Sequence, residues 1–248
     1  MVIGGLKRIA EVATFLVPLM GSIYFGAMLI ALTLNLDQVF PAFKLILVDA
    51  FNGTAIAGGT FFGVLIYGVR RGAFSNEAGM GTESLVHGVA KVSDPVKQGL
   101  VAMTGPIFDT LIICTATALM ILISGVWETS ASQGVTLTAE AFSMLLGNFG
   151  GFVLFICVIC FGLSTIFTYS YYGASCSRFL FGKFGMKFYI YLYIFSIFIY
   201  SIVPIDIAIN IADGAFAMMA IPTLVSALWL APKVMQASKN YFKLIDSY

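Results

Sequence analysis

Residues 141–177 read AFSMLLGNFGGFVLFICVICFGLSTIFTYSYYGASCS, 37 residues between Glu140 and Arg178 without a charge. A helix needs ~20 apolar residues, range ~17–25, to cross the hydrocarbon core of a bilayer. The run therefore holds one complete span, placed at 150–176, with an entering turn to spare. An isolated helix satisfies its own backbone hydrogen bonds in lipid, whereas an open sheet edge does not. Membrane strands would show alternating segments of about ten residues, and this stretch does not alternate.

The same criterion, applied outward, gives five more spans. Residues 12–36 lie between Glu11 and Asp37, 50–70 follow Asp49, and 98–127 are interrupted by Asp109. Toward the C-terminus come 188–205 and 208–232. The first stretch is too long for a secretory signal and has no small-residue cleavage site. With the N-terminus inside, Lys7, Arg8, Arg70, Arg71, Lys91, Lys97, Arg178, Lys183, Lys187, Lys233, Lys239 and Lys243 fall on cytoplasmic segments, and only Lys44 falls outside. That asymmetry is what the positive-inside rule expects, and five or seven spans would scramble it. The reading is an all-α polytopic membrane protein of about six spans, both termini cytoplasmic, in the plasma membrane (a bacterial cytoplasmic membrane).

Composition agrees: 60% of the 248 residues are hydrophobic and 10% charged, far from the ~25% charged expected of a soluble domain. Mean hydropathy is +0.98. A net charge of +1 with no basic tract excludes nucleic acid as a partner. Four cysteines and one histidine cannot build a disulfide scaffold or a rich metal site. Cys157 and Cys160 have metal-ligand spacing but sit in an apolar helix without companion ligands, and His87 has no nucleophile elbow nearby. Nothing points to an enzyme.

The most informative polar pattern lies in the 150–176 span. Ser164, Thr165, Thr168, Tyr169 and Tyr172 fall within ~140° of arc at 100° per residue, with Phe161, Leu163, Ile166 and Phe167 assigned to the opposite face. Hydroxyls in hydrocarbon ordinarily bond their own helix or a neighbour. Five on one arc also form the oxygen-rich surface that a hard cation such as sodium prefers, with aromatic walls for a small amphiphilic solute. Asp109 is flanked on both sides by apolar span, where a charge costs ~2.5–3.5 kcal/mol near the midplane. It reads either as a helix–helix anchor or as a gate on an ion path. Gly58 and Gly59 mark a close helix approach, or a broken helix whose backbone groups meet substrate. Asp206, Asn210 and Asp213 stack on one helical face and read as a wet vestibule lining. Ala141, Phe142, Leu145, Leu146 and Phe149 share one face of an amphipathic stretch, either a surface helix on the bundle or an external lid.

One run carries a resemblance. Residues 68–81 read GVRRGAFSNEAGMG, residues 94–100 DPVKQGL and residues 108–118 FDTLIICTATA. With Ser170-Tyr171-Tyr172-Gly173 and Met219-Ala220-Ile221-Pro222, these segments resemble the sodium:alanine/glycine symporters (amino acid:cation symporters) across essentially the whole chain. The signature loop, with Ser75, Asn76, Glu77, Gly79 and Gly81, is highly specific to that family. The resemblance implies a leucine-transporter-type inverted-repeat fold. Residues 1–248 would be the C-terminal half of one transporter domain, helices five to ten, with the N-terminal half missing; a separate chain supplying it is one of the alternatives. It also implies that Ser164 and Thr165 offer oxygens to the co-transported sodium ion. Thr165 and Tyr169, with Gly58 and Gly59, would meet the amino acid. The family usually has tryptophan where Tyr169 stands, and Ser-Ala-Pro where Thr82-Glu83-Ser84 follows the signature.

The function expected on these grounds is sodium-coupled symport of a small neutral amino acid across the bilayer. Two other readings are a permease subunit of an ATP-driven importer, for which Glu77-Ala78-Gly79 loosely imitates a coupling loop, and a truncated fragment without transport activity.

Overall fold

A computed structural model describes residues 5–51 and 60–246. Among them every regular element is helical: α1 (Gly5–Leu34), α2 (Leu36–Ala50), α3 (Thr60–Asn76), α4 (Thr82–His87), α5 (Pro95–Pro106), a π-helical segment (Ile107–Cys114), α6 (Thr115–Ser124), α7 (Val126–Thr129), α8 (Val135–Tyr200) and α9 (Ile205–Asp246). Among the described residues four stretches are long and apolar enough to cross a membrane: Thr14–Leu34, Pro95–Ser124, Val135–Tyr200 and Ile205–Ile245. α3 is shorter, at 17 residues, and Gly58 and Gly59 lie outside the described residues.

α8 has 66 residues, far more than the ~20 that cover a hydrocarbon core. It is turned twice, at Gly147 (φ 65°, ψ −161°) and Gly182 (φ 66°, ψ −157°). That backbone region is open essentially to glycine alone. Both corners share one sequence, Gly-x-Phe-Gly: Gly147-Asn148-Phe149-Gly150 and Gly182-Lys183-Phe184-Gly185. The second glycine of each lies against the backbone carbonyl eight residues earlier, that of Phe142 for Gly150 and that of Ser177 for Gly185. A side chain at Gly150 would collide with that carbonyl. α8 thus comprises three helical segments, 135–146, 148–181 and 183–200, and the stretch 141–177 falls in the first two. The last two form an antiparallel hairpin in which the Tyr193 hydroxyl donates to the Ile166 carbonyl at 2.8 Å and the Tyr189 ring lies against Gly173.

The chain divides into two compact units, Met1–Phe62 with Ile113–Phe198, and Gly63–Ile112 with Ile199–Tyr248. In the first, Met28, Met120, Phe142 and Cys157 are fully buried and pack with Tyr24, Ala31, Val153 and Leu154. The Tyr24 ring stacks on Phe142 (5.4 Å), and its hydroxyl meets Thr117 Oγ1 at 2.8 Å. The Thr117 hydroxyl also lies 2.8 Å from the Ile113 carbonyl, to which it can donate. Ala141 and Phe142, both 0% exposed, dock the 135–146 helix onto this core, the surface-helix alternative. Phe149 does not share that face. The Gly147 turn intervenes, and Phe149 is left 68% exposed.

In the second unit α3 and the start of α9 run side by side in the same direction. Arg70 and Arg71 both reach the Asp213 carboxylate, Arg71 at 3.5 Å, and Phe74 meets Phe216 edge-on at 4.8 Å. Further along, Gly81 (φ +91°) approaches Thr223 so closely that a Cβ would fall 2.7 Å from its hydroxyl. The vestibule reading of Asp213 is therefore corrected. Its side chain is 2% exposed and ion-paired, because two guanidinium groups supply the compensation that a buried carboxylate requires. Asp206 and Asn210 remain exposed.

Candidate transport site

The hydroxyl arc lies on the 148–181 segment of α8. Most of it serves the helix itself. Ser164 donates to the Phe161 carbonyl (2.9 Å), Thr168 to Ser164 (2.8 Å) and the neighbouring, buried Ser170 to Phe167 (2.6 Å). Such back-bonding satisfies a hydroxyl proton but leaves oxygen lone pairs available. Thr165 differs. It is exposed, and its hydroxyl makes no such bond among the described residues. Tyr169 and Tyr172 lie beside it, half-buried, with ring centroids 5.4 Å apart.

The direction in which the arc points follows from the turns before it. At 100° per residue, Cys157 and Phe161 share the face of Ser164 and Thr168, which corrects the placing of Phe161 on the opposite face. The Cys157 thiol donates to the Met20 carbonyl at 3.9 Å, and Phe161 meets the Tyr24 ring edge-on at 6.0 Å. The face that becomes the hydroxyl arc is thus the face that, one and two turns earlier, seats α8 on α1.

The second cluster joins the signature loop to the π-helical segment. Pro106 closes α5. A proline has no N–H to give and clashes with the preceding turn, which accounts for the helix widening from residue 107. Such π segments often mark functional positions. Within it, Asp109 Oδ2 accepts from the Ser75 hydroxyl at 2.6 Å and from Thr110 at 3.5 Å, while the Asn76 amide donates to Thr110 Oγ1 at 3.0 Å. Asn76 also accepts from the Ala78 N–H at 3.0 Å. Beyond it Glu77 (φ 54°), Gly79 (φ 79°) and Gly81 (φ 91°) adopt left-handed conformations, which fold the loop back toward α9. A cavity of about 660 Å³ follows, lined by Gly79, Gly81, Glu83, Ser84, Thr223 and Ser226. Sequence reasoning singled out Asp109, Ser75 and Asn76 separately but did not pair them; nor did it pair Arg70 and Arg71 with Asp213.

Residues 1–247 match the family described as the sodium:alanine symporter family. The chain belongs to that family. It is a family of transporters, not of enzymes, and the all-helical architecture with its apolar candidate spans is consistent with that. Relatives include the sodium/alanine symporter AgcS of Methanococcus maripaludis, 35% identical over 97% of this chain and 53% of that protein. The uncharacterized transporter YflA of Bacillus subtilis is 36% identical over 97% and 52%. The probable sodium/glutamine symporter GlnT of the same organism is 33% identical over 97% and 50%. The chain spans about half the length of the curated relatives it matches.

Proposed function

We propose that this symporter-family chain takes part in sodium-coupled uptake of a small neutral amino acid, alanine- or glycine-like, across a bacterial cytoplasmic membrane. Its six spans would act as helices five to ten of a leucine-transporter-type inverted-repeat fold, both termini facing the cytoplasm. The remaining length of the relatives would supply the facing helices. The observation that carries the reading is Thr165: it sits on the oxygen-rich arc of α8, on a family-matched segment, with a hydroxyl its own helix does not use. Sodium would take oxygens from Ser164 and Thr165, the latter completing the pocket for the amino acid beside Tyr169. A tyrosine here leaves more room and a polar tip where a tryptophan would fill the space. Sodium binding would favour the outward-open state, and rocking of the helices would then expose the pocket inward.

Asp109 would line the inner gate, with Ser75 and Thr110 holding its carboxylate and the cavity beside Gly81 forming the exit. Gly58 and Gly59 would let backbone groups meet the substrate. Membership of a symporter family favours this reading over an ATP-driven permease. Labelled alanine uptake, in vesicles bearing a symporter of full family length that contains this segment, tests it. Uptake is expected to follow an imposed sodium gradient and to persist without ATP. Uptake that follows ATP and ignores the sodium gradient would overturn it.

A further inference from the structure

The end of the second unit richest in cations holds a groove that transport does not use. It runs between α5 and α9 and encloses about 550 Å³. One wall is Val96, Gly99, Leu100 and Met103 at helical spacing, the other Lys233, Val234, Ala237 and Ser238. Three features indicate its occupant. First, its floor is apolar and open, with Leu100 40% exposed, Met103 67% and Val234 62%. Second, it lies where the apolar runs 98–127 and 208–232 give way to charge, at the level of lipid headgroups. Third, Lys91, Lys97, Lys233, Lys239 and Lys243 gather on these two stretches of sequence. The carboxylate between them, Asp94, is occupied as the N-cap of α5, accepting from the Val96 N–H at 2.7 Å. Neither Lys233 nor Ser238 has an ion pair or side-chain hydrogen bond among the described residues. An uncompensated ammonium and a hydroxyl at the mouth of an apolar slot between two membrane helices complement a phosphate carrying an acyl chain.

We propose that this groove binds one anionic phospholipid, its acyl chain along Leu100, Met103 and Val234 and its phosphate at Lys233 and Ser238. Gly99 and Ala237 leave the width that the chain needs. A Cβ at Gly99 would meet nothing within 4 Å, so a side chain can be added there, and Gly99→Leu is the variant chosen to fill the groove.

Native mass spectrometry of the delipidated protein, re-exposed to phosphatidylglycerol or phosphatidylcholine of equal chain length, reads the site directly. One phosphatidylglycerol is expected to stay bound, about five-fold more often than phosphatidylcholine. Lys233→Gln should remove the headgroup preference, and Gly99→Leu should lower retention of both lipids. Should Gly99→Leu lose helicity by circular dichroism, Lys233→Gln decides alone. Equal retention of the two lipids by the unaltered protein, or a preference unchanged by Lys233→Gln, overturns the proposal. Occupancy by inorganic phosphate without lipid does so too, as does a dimer abolished by Gly99→Leu.

Discussion

On the 148–181 segment of α8, Ser164, Thr168 and Ser170 return their protons to carbonyls three or four residues back, whereas Ser75 and Asn76 reach 34 residues along the chain to Asp109 and Thr110. The first cluster is a helix face whose polarity is locally satisfied, with Thr165 as its exception. The second is a tertiary joint, in which the C-terminal end of α3 delivers the Ser75 and Asn76 side chains to a π-helical segment. A locally satisfied face can change partners at little cost and so suits a site that binds and releases a solute. A joint built on cross-element bonds holds its parts in register.

That contrast makes the expected effects of substitution unequal. The largest belongs to Asp213, in the same compact unit as the joint. Asp213→Asn leaves two arginines facing one neutral amide and should cost about 3 kcal/mol, the low end for breaking a buried pair because both arginines are part-exposed. Thermal unfolding in detergent micelles measures it. Replacing Arg70, Arg71 and Asp213 together by apolar residues should recover most of the loss. Next comes the Gly182 corner, where Gly182→Ala forces a side chain into a region that excludes it, at about 1–3 kcal/mol. An unchanged unfolding temperature would mean that the hairpin does not depend on this turn. Ser75→Ala removes a hydroxyl from the Asp109 carboxylate and should cost about 1.5 kcal/mol, the low end for a hydrogen bond to a charged group. Smallest is Thr168→Ala, within about 0.5 kcal/mol, since only a back-bond to its own helix is lost. Equal costs for Ser75→Ala and Thr168→Ala would erase the distinction between the two clusters.

What could be seen in the sequence follows the same division. Periodicity and charge spacing locate the apolar helices, and the arc from Ser164 to Tyr172 is legible because a helix face is a local property. The family resemblance of residues 68–118 rests on motif identity, and the family match supports it. Spans at 150–176 and 188–205 leave Gly147 and Gly182 outside both, but nothing in Gly-x-Phe-Gly announces a glycine-only corner within a continuous helical run. A single helical wheel over 141–149 ignores the Gly147 turn and so puts Phe149 on the wrong face. The pairing of Ser75 with Asp109 depends on tertiary docking, which spacing does not report. The polar stripe at Asp213 suggests a wet lining because it does not say what packs against it, and in sequence the two arginines mark only topology.

The central claim is that the Thr165 hydroxyl, left unused by its own helix, is a sodium ligand. The most direct measurement is the sodium dependence of alanine uptake by a full-length symporter carrying Thr165→Ala or Thr165→Ser. The account predicts that alanine at this position raises the sodium concentration for half-maximal uptake at least ten-fold, that serine restores it, and that neither variant shifts unfolding by more than about 0.5 kcal/mol. Uptake by Thr165→Ala with an unaltered sodium requirement would contradict it.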